Sequence, residues 1–383
     1  MKILYILGSY YPAQSGGPNN TIHWQAKYLS KEDVDVYVAS LKTGLSKDNI
    51  NNYNIELNSK NKIEGVNVYY FNYLINRYLS LKFYYWLFSN IKKFDFVQLT
   101  SYFFPVTWFG ALICNIHNVP FSVAPRGELE DNALKYRRTV KLALHRIILK
   151  TIYKRAKFIL VTSDQELKFS RQYFNNKMVF ELIPNYIELS INRELSKTDV
   201  LNKKNIIFLG RLHPKKGIDN LIEAYFSLDE VIINNHLLLI AGTGNFNYLS
   251  YLKKLASNSK YSNRVVFVGH KQGIEKEEFY KKSKVFVLPS YSENFGNVVL
   301  ESLSFSTPVI SSKYTPWKNL ESNRCGLWID NNPNEIMKAM TRILTMKESD
   351  YMEYSTNSHK YVQDRFDISR KILNVINVYK KYL

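Results

Sequence analysis

Short apolar runs alternate with segments of helical length along this chain, and that alternation restricts the fold more than any other feature. In the first half the runs are residues 2–7, 34–40, 66–71, 94–101, 121–125 and 157–163. Strands this apolar along their length belong to a sheet covered on both faces. Helical segments between them, such as "TIHWQAKYLSK" (21–31), imply parallel βαβ units. The polar stretch 187–205 breaks the pattern and reads as a linker. The alternation restarts at 205–210, 236–242, 264–269, 284–290 and 308–312. The expected architecture is α/β, with two doubly wound, Rossmann-like parallel-sheet domains at 1–190 and 191–365. A last helix over 366–383, apolar at Ile368, Ile372, Val375, Ile376 and Tyr379, is expected to pack back on the N-terminal domain. Ligands of open parallel sheets bind beyond the carboxyl ends of the strands. Two such domains facing each other would enclose a cleft between those ends.

A length of 383 residues suits two domains, and a 45% hydrophobic content excludes global disorder. The 52 Lys and Arg exceed the 33 Asp and Glu by 19. Such a balance points to an anionic partner: nucleic acid, anionic lipid or a phosphorylated substrate. Lys, Asn, Tyr and Ile are abundant throughout, so charge alone does not choose among them. The two cysteines, Cys114 and Cys325, give no disulfide framework and suit a reducing cytoplasm. The N-terminus "MKILYILGSYYPAQSGG" lacks a small-residue cleavage site and reads as a buried strand with a Gly-rich loop after it. The apolar stretch 102–116 contains a proline and is too short to span a bilayer, so no transmembrane helix is expected.

Two strand-to-helix loops carry the chemistry. In the first, "KVFVLPS" is a strand, "YSENFG" a loop and "NVVLESLSF" the start of a helix. A helix N-terminus offers free N–H groups to a phosphate, and Gly296 lets backbone approach a ligand. Glu301 falls about one turn into the helix, where a carboxylate can accept from two neighbouring hydroxyls, as on a ribose. Glu293 sits in the loop, within reach of a second polyol. A capping box would need its acid three residues after an N-cap Ser, Thr, Asp or Asn; Val298 occupies that place, which weakens the capping account of Glu301. The second stretch, "NIIFLGRLHPKKGIDNLIEAY" (205–225), places Gly210, Arg211, Lys215, Lys216 and Gly217 between a strand and a helix. Arg and Lys there can neutralise a diphosphate. A solvated basic turn is the alternative.

"FLGRLHPKKGIDNLIEAY" followed by the E-x7-E of "ENFGNVVLE" resembles the retaining glycosyltransferases of family 4 (glycosyl transferases group 1), which have the GT-B fold of two facing Rossmann-like domains. "TPVISS" and "CGLWI" fit the same pattern, and "TPW" (315–317) is similar to members acting in surface-polysaccharide synthesis. The resemblance implies roles residue by residue. Arg211 and Lys216 would bind the donor diphosphate and stabilise the leaving nucleotide. Glu301 would hold the ribose. Glu293, with the backbone of Phe295, Gly296 and Asn297, would hold the donor sugar and phosphate. Gly16 and Gly17 match a Gly-Gly loop that approaches the donor phosphates; a plain flexible turn is the other reading. Arg126, in "APRGE", stands where many members carry a histidine. Arginine cannot act as a base, but it can orient an acceptor or steady a developing charge. The catalytic set is thus Glu293, Arg126 and Lys216. His117 reads as a loop residue, and Glu128 as a solvated loop charge with an acceptor-side role as the alternative.

Other signals lead nowhere. "GTG" (242–244) lacks the third glycine of a nicotinamide site, "DVD" (33–35) opens a strand, and no His/Cys cluster has metal-ligand spacing. No cofactor or metal is expected. Residues 135–158 contain nine Lys or Arg and no acid. Val140, Leu144, Ile147, Ile148 and Thr151 are expected to pack one helical face on the sheet, while the surplus charge draws the domain to anionic lipid. The aromatic stretch 76–94 either adds an interfacial contact or packs as a helix. The leading function is a metal-independent, retaining hexosyltransferase. It would move a sugar from a nucleotide diphosphate donor to a glycan acceptor, lipid-linked, in surface-polysaccharide synthesis. Its expected place is the cytoplasm, peripheral on the cytoplasmic face of the inner membrane, with no nucleic acid partner. A sugar-nucleotide epimerase or phosphorylase is the second reading, and a non-enzymatic basic protein binding membranes or nucleic acid the third.

Overall fold

The computed structural model describes residues 1–13, 17–73, 79–135, 137–189 and 196–383. They form two compact units: Met1–Glu188 with Ile368–Leu383, and Leu189–Asp367.

The first unit is built on eight strands: β1 (Lys2–Leu7), β2 (Asp35–Leu41), β3 (Lys60–Ile63), β4 (Val66–Phe71), β5 (Phe96–Thr100), β6 (Phe121–Ala124), β7 (Phe158–Val161) and β8 (Phe180–Leu182). Their order is β3-β4-β2-β1-β5-β6-β7-β8, parallel except for β3 against β4. The central strand explains the doubly wound form. Ile3, Tyr5 and Leu7 of β1 enter one core with Ile22, Ala26 and Leu29 of the helix Gly17–Lys31. Leu4 and Ile6 enter another with Phe83, Leu87 and Cys114 from helices on the opposite face. Both sides of the pleat are thereby removed from water. Ile368, Ile372, Val375, Ile376 and Tyr379 of the final helix, Ile368–Lys380, belong to the first of these cores. Each such side chain stabilises by roughly 1.5–3 kcal/mol when fully buried.

Sequence patterning missed β3 and β8, and in the second unit the strand Gly326–Ile329. β3 reads "KNKI", with its two lysines facing water and Asn61 and Ile63 turned inward, so its apolar content is low for a strand. It pairs as an antiparallel edge through the Glu64–Gly65 turn, both of whose residues have positive φ. The polar stretch read as a linker is partly helical. Ser196 and Asp199 close a capping box over Lys197–Leu201.

Three further readings are corrected. His117 is the last residue of the helix Pro105–His117, with its ring against Phe88 at 4.7 Å. Glu128 is no solvated charge: Oε2 accepts from the Tyr102 and Phe103 amides at 2.7 and 2.8 Å, and Oε1 from the Ser101 hydroxyl at 2.7 Å. Burial pushes its carboxyl up, and those three donors hold it back. The basic stretch does not pack its expected face either. Val140, Ile147 and Ile148 are exposed, while His145, Leu149 and Tyr153 point inward. A π-helical turn, His145–Leu149, lies inside this stretch and inserts an extra residue into the helix, and the segment before it, Arg138–Leu144, buries none of its residues.

The second unit has six parallel strands: β9 (Asn205–Leu209), β10 (Leu238–Ala241), β11 (Val265–Gly269), β12 (Ser283–Leu288), β13 (Val309–Ser312) and β14 (Gly326–Ile329). Their order is β11-β10-β9-β12-β13-β14. Strand order reverses between β9 and β12, so the loops leaving these two neighbours open a crevice at the topological switch point.

Glu128→Ala should leave three donors without an acceptor and lower the free energy of unfolding by about 2–3 kcal/mol. A urea midpoint equal to that of the wild type would show that water replaces the carboxylate without cost.

Candidate active site

The two loops singled out in the sequence follow β9 and β12, and the structure brings them together. After β9 come Gly210, Arg211 and Leu212, then the 3₁₀ turn Pro214–Lys216, Gly217 and the helix Ile218–Phe226. The turn is capped by its own histidine, whose Nδ1 accepts from the Lys215 amide at 3.1 Å. Partial burial and the neighbouring Arg211, Lys215 and Lys216 hold the His213 imidazole below its ordinary range, which keeps that acceptor available. Gly217 has φ +62°, and a Cβ there would stand 2.2 Å from the Pro289 carbonyl oxygen. The two loops therefore approach backbone to backbone, and the Tyr291 amide donates to the Lys215 carbonyl at 2.7 Å. Asn331 ties the same junction, donating to Pro289 O at 2.6 Å and accepting from Asn220 at 3.1 Å.

Lys216 is paired with Glu293 Oε1, and the Ser290 hydroxyl donates to the same oxygen at 2.7 Å. Their side chains are only 12% and 11% exposed. Arg211 is exposed at the mouth of its loop. The glycines of "GTG" have a structural explanation here. A Cβ on Gly242 would fall 1.8 Å from Gly210 O, and the loop after β10 supports the Arg211 loop through Leu212 N to Thr243 O at 2.8 Å.

The E-x7-E loop is held from below. Phe295 is buried against Trp317 and Phe366, and the Trp317 indole donates to Phe295 O at 2.6 Å. Gly296 is the N-cap, left-handed at φ +83°, and Asn297 opens the helix Asn297–Ser304. The amides at this helix start are thus aimed by a tryptophan clamp. "TPW" carried the signal for it, read in sequence as a family mark and not as a support. Glu301 lies one turn in. Its Oε1 accepts from Lys276 at 2.6 Å and its Oε2 from Tyr280 at 3.0 Å. Burial and the Glu301 carboxylate push the Tyr280 hydroxyl well up, so it stays protonated and donates. Sequence reading singled out neither partner. They lie on the helix before β12, and only the fold brings that helix beside Glu301.

In the first unit, Arg126 follows β6 with φ +54°. Its Nη1 donates to Asn185 at 2.8 Å, and its buried Nε has no hydrogen-bond partner among the described residues. Burial pulls the guanidinium pKa down, opposed by Glu166, Tyr379 and Tyr5. Glu166 also accepts from the Gly127 amide at 2.7 Å, which fixes the turn that presents Arg126. Gly17 begins the first helix, beyond the carboxyl end of β1, and Gly16 lies outside the described residues. Among the described residues, no group of three or more His, Cys, Asp or Glu side chains is placed to hold a metal ion.

Residues 15–191 match Glycosyltransferase Family 4, and residues 192–361 match Glycosyl transferases group 1. The uncharacterized glycosyltransferase MJ1607 of Methanocaldococcus jannaschii is 31% identical over 196 residues, spanning 50% of this chain and about half (48%) of that relative. The O-antigen biosynthesis glycosyltransferase WclY of Escherichia coli is 25% identical over 61% of this chain and 74% of its own. Anabaena Alr3699/HepE, solved in complex with UDP, superposes with a TM-score of 0.78 at 17% identity over 100% of both chains. Two parallel-sheet units of this kind have the GT-B fold. The chain belongs to the glycosyltransferases of family 4 type, with a Family 4 first half and a group 1 second half. That membership makes it an enzyme and removes the reading as a non-catalytic binding protein.

Gly217→Ala should lower the unfolding free energy by about 2 kcal/mol or more, from its left-handed φ and the Pro289 carbonyl together. A thermal midpoint unchanged from wild type would mean that the two loops are not held in contact.

Proposed function

We propose that the chain transfers a sugar, with retention of anomeric configuration, from a nucleoside diphosphate donor to a lipid-linked glycan acceptor in surface-polysaccharide synthesis. The observation that carries this reading is the Lys216–Glu293 pair, formed by two loops at the switch point of the second sheet. Similarity to an O-antigen biosynthesis glycosyltransferase supports the class of acceptor.

In this reading the donor diphosphate takes Lys216 from Glu293, and Arg211 covers it from the rim of the loop. Glu293, released, accepts from sugar hydroxyls, while Ser290 keeps its carboxylate in place. The amides of Gly296 and Asn297 face a phosphate oxygen. Glu301 accepts from the ribose hydroxyls, with Lys276 and Tyr280 fixing its direction. Transfer breaks the bond between the anomeric carbon and the phosphate oxygen, and the electron pair leaves with the diphosphate. The acceptor oxygen forms the new bond on the same face. Arg126 cannot take the acceptor's proton, so the departing phosphate oxygen receives it, and Arg126 orients the acceptor through its N–H groups. The cations of Arg211 and Lys216 do the electrostatic work that a metal does in other transferases.

Supplied with a panel of nucleotide sugars and a lipid-linked acceptor, the enzyme should release nucleoside diphosphate in step with product. Lys216→Ala should lower kcat by about 100-fold, the scale of one lost donor to a developing oxyanion, with donor KM changed far less. A folded variant with wild-type kcat would remove Lys216 from the reaction. EDTA should leave the rate intact; full loss that is restored by magnesium would overturn the metal-free reading.

A further inference from the structure

Nothing in the proposed transfer uses one face of the first unit, where three helices expose apolar side chains. The helix Leu81–Asn90 turns Phe83 and Leu87 inward and exposes Leu81, Tyr85 and Phe88, which recur at the spacing of one helical face. The helix Pro105–His117 buries Val106, Ile113 and Cys114 and exposes Phe109, Leu112 and Ile116. The helical stretch 138–153 buries Leu149 and Tyr153 and exposes Val140, Ile147 and Ile148. Leu81, Tyr85, Val140 and Ile147 are 62–76% exposed, so these are not the edges of packed residues.

The three faces are joined. The inward residues of all three helices enter the same core cluster, so the outer faces look away from the same side of the sheet. The helix Pro105–His117 lies between the other two. On one side its Phe109 and His117 rings stand 4.6 and 4.7 Å from those of Tyr84 and Phe88. On the other side Asn115 donates to Ile152 O at 2.8 Å, and Arg155 donates to Asn118 at 2.9 Å.

The charge on this face has one sign. Asp95 is the only acid between Gly65 and Glu128, and none occurs from Asn132 to Ser163. The same helices and their ends carry exposed Lys82, Lys92, Lys93, Arg146, Lys150 and Lys154. An apolar surface bordered by cations and poor in acids matches the interface of an anionic bilayer, where aromatic rings sit at headgroup depth and lysines reach the phosphates. A protein partner of ordinary composition would offer no such uniform negative charge. We propose that the first unit docks on an anionic lipid surface through the joined outer faces of these three helices. This contact is independent of the sugar chemistry proposed above.

The test is co-sedimentation of the full chain with vesicles of phosphatidylcholine alone and of phosphatidylcholine mixed equally with phosphatidylglycerol. Binding should appear with the anionic vesicles, weaken as salt rises and be slight with the neutral ones. The triple variant Tyr85→Ser, Phe109→Ser, Ile147→Ser should lose at least about tenfold in partitioning, since each change withdraws apolar area from the interface. All three sites are exposed, and circular dichroism with a thermal midpoint checks that the fold is kept. The double variant Arg146→Glu, Lys150→Glu gives an independent reading and should abolish the preference for anionic lipid. Absence of binding to either vesicle would overturn the proposal, as would binding that both variants leave unchanged. A concentration-dependent dimer in solution that the triple variant dissociates would assign the face to a second copy of the chain. Salt-sensitive binding of RNA in place of vesicles would assign it to nucleic acid.

Discussion

A parallel sheet covered on both faces has no room for polar chemistry except at the ends of its strands. That constraint decides where everything else in this chain can be. The apolar runs of β1 and β5 fill two cores each, and those of β9 and β12 are buried along their length, which leaves the loops at the carboxyl ends for charged residues. In the second unit the strand order reverses at β9 and β12, and the loops that leave these strands carry Lys216 and Glu293. The proximity of Lys216 to Glu293 is therefore a result of topology before it is a result of chemistry.

The pair also shows why such a site must be supported. Two opposite charges at 12% and 11% exposure gain little net stability, because desolvation offsets most of their attraction. What keeps them in register is the backbone beneath. Gly217 lies under Pro289, Tyr291 donates to Lys215, and Trp317 reaches Phe295. The loops are rigid for reasons of their own, and the charges are carried on them. Glu301 follows the same rule, with Tyr280 and Lys276 on separate turns of one helix setting its two oxygens.

Much of this was legible in the sequence because strand burial leaves a strong mark. Runs such as "NIIFLG" and "KVFVLPS" are strands wherever a covered parallel sheet is formed. β3 left a weaker mark, since an edge strand needs only half its residues apolar and "KNKI" has one. The 135–158 helix was recognised, but its buried face was assigned to the wrong residues. The stretch contains a π-helical turn that no residue in "HRIIL" announces, and its first helical segment, Arg138–Leu144, buries no residue at all. Glu128 was misread, and Lys276 passed over, for a different reason. Their partners, the amides of Tyr102 and Phe103 and the carboxylate of Glu301, are 25 or 26 residues away, and no local pattern encodes that distance.

The final helix has a consequence for how the protein comes into being. Tyr379 comes after the second unit in the chain, yet its hydroxyl meets that of Tyr5 at 3.0 Å and its ring packs on Phe96 at 5.3 Å. The first unit thus takes part of its interior from a helix that follows the whole second unit in the chain. While the second unit is being synthesised, the core around β1 stands open on the side that this helix covers. The nascent chain must hold that apolar face out of solution, or shield it, until this helix has been made.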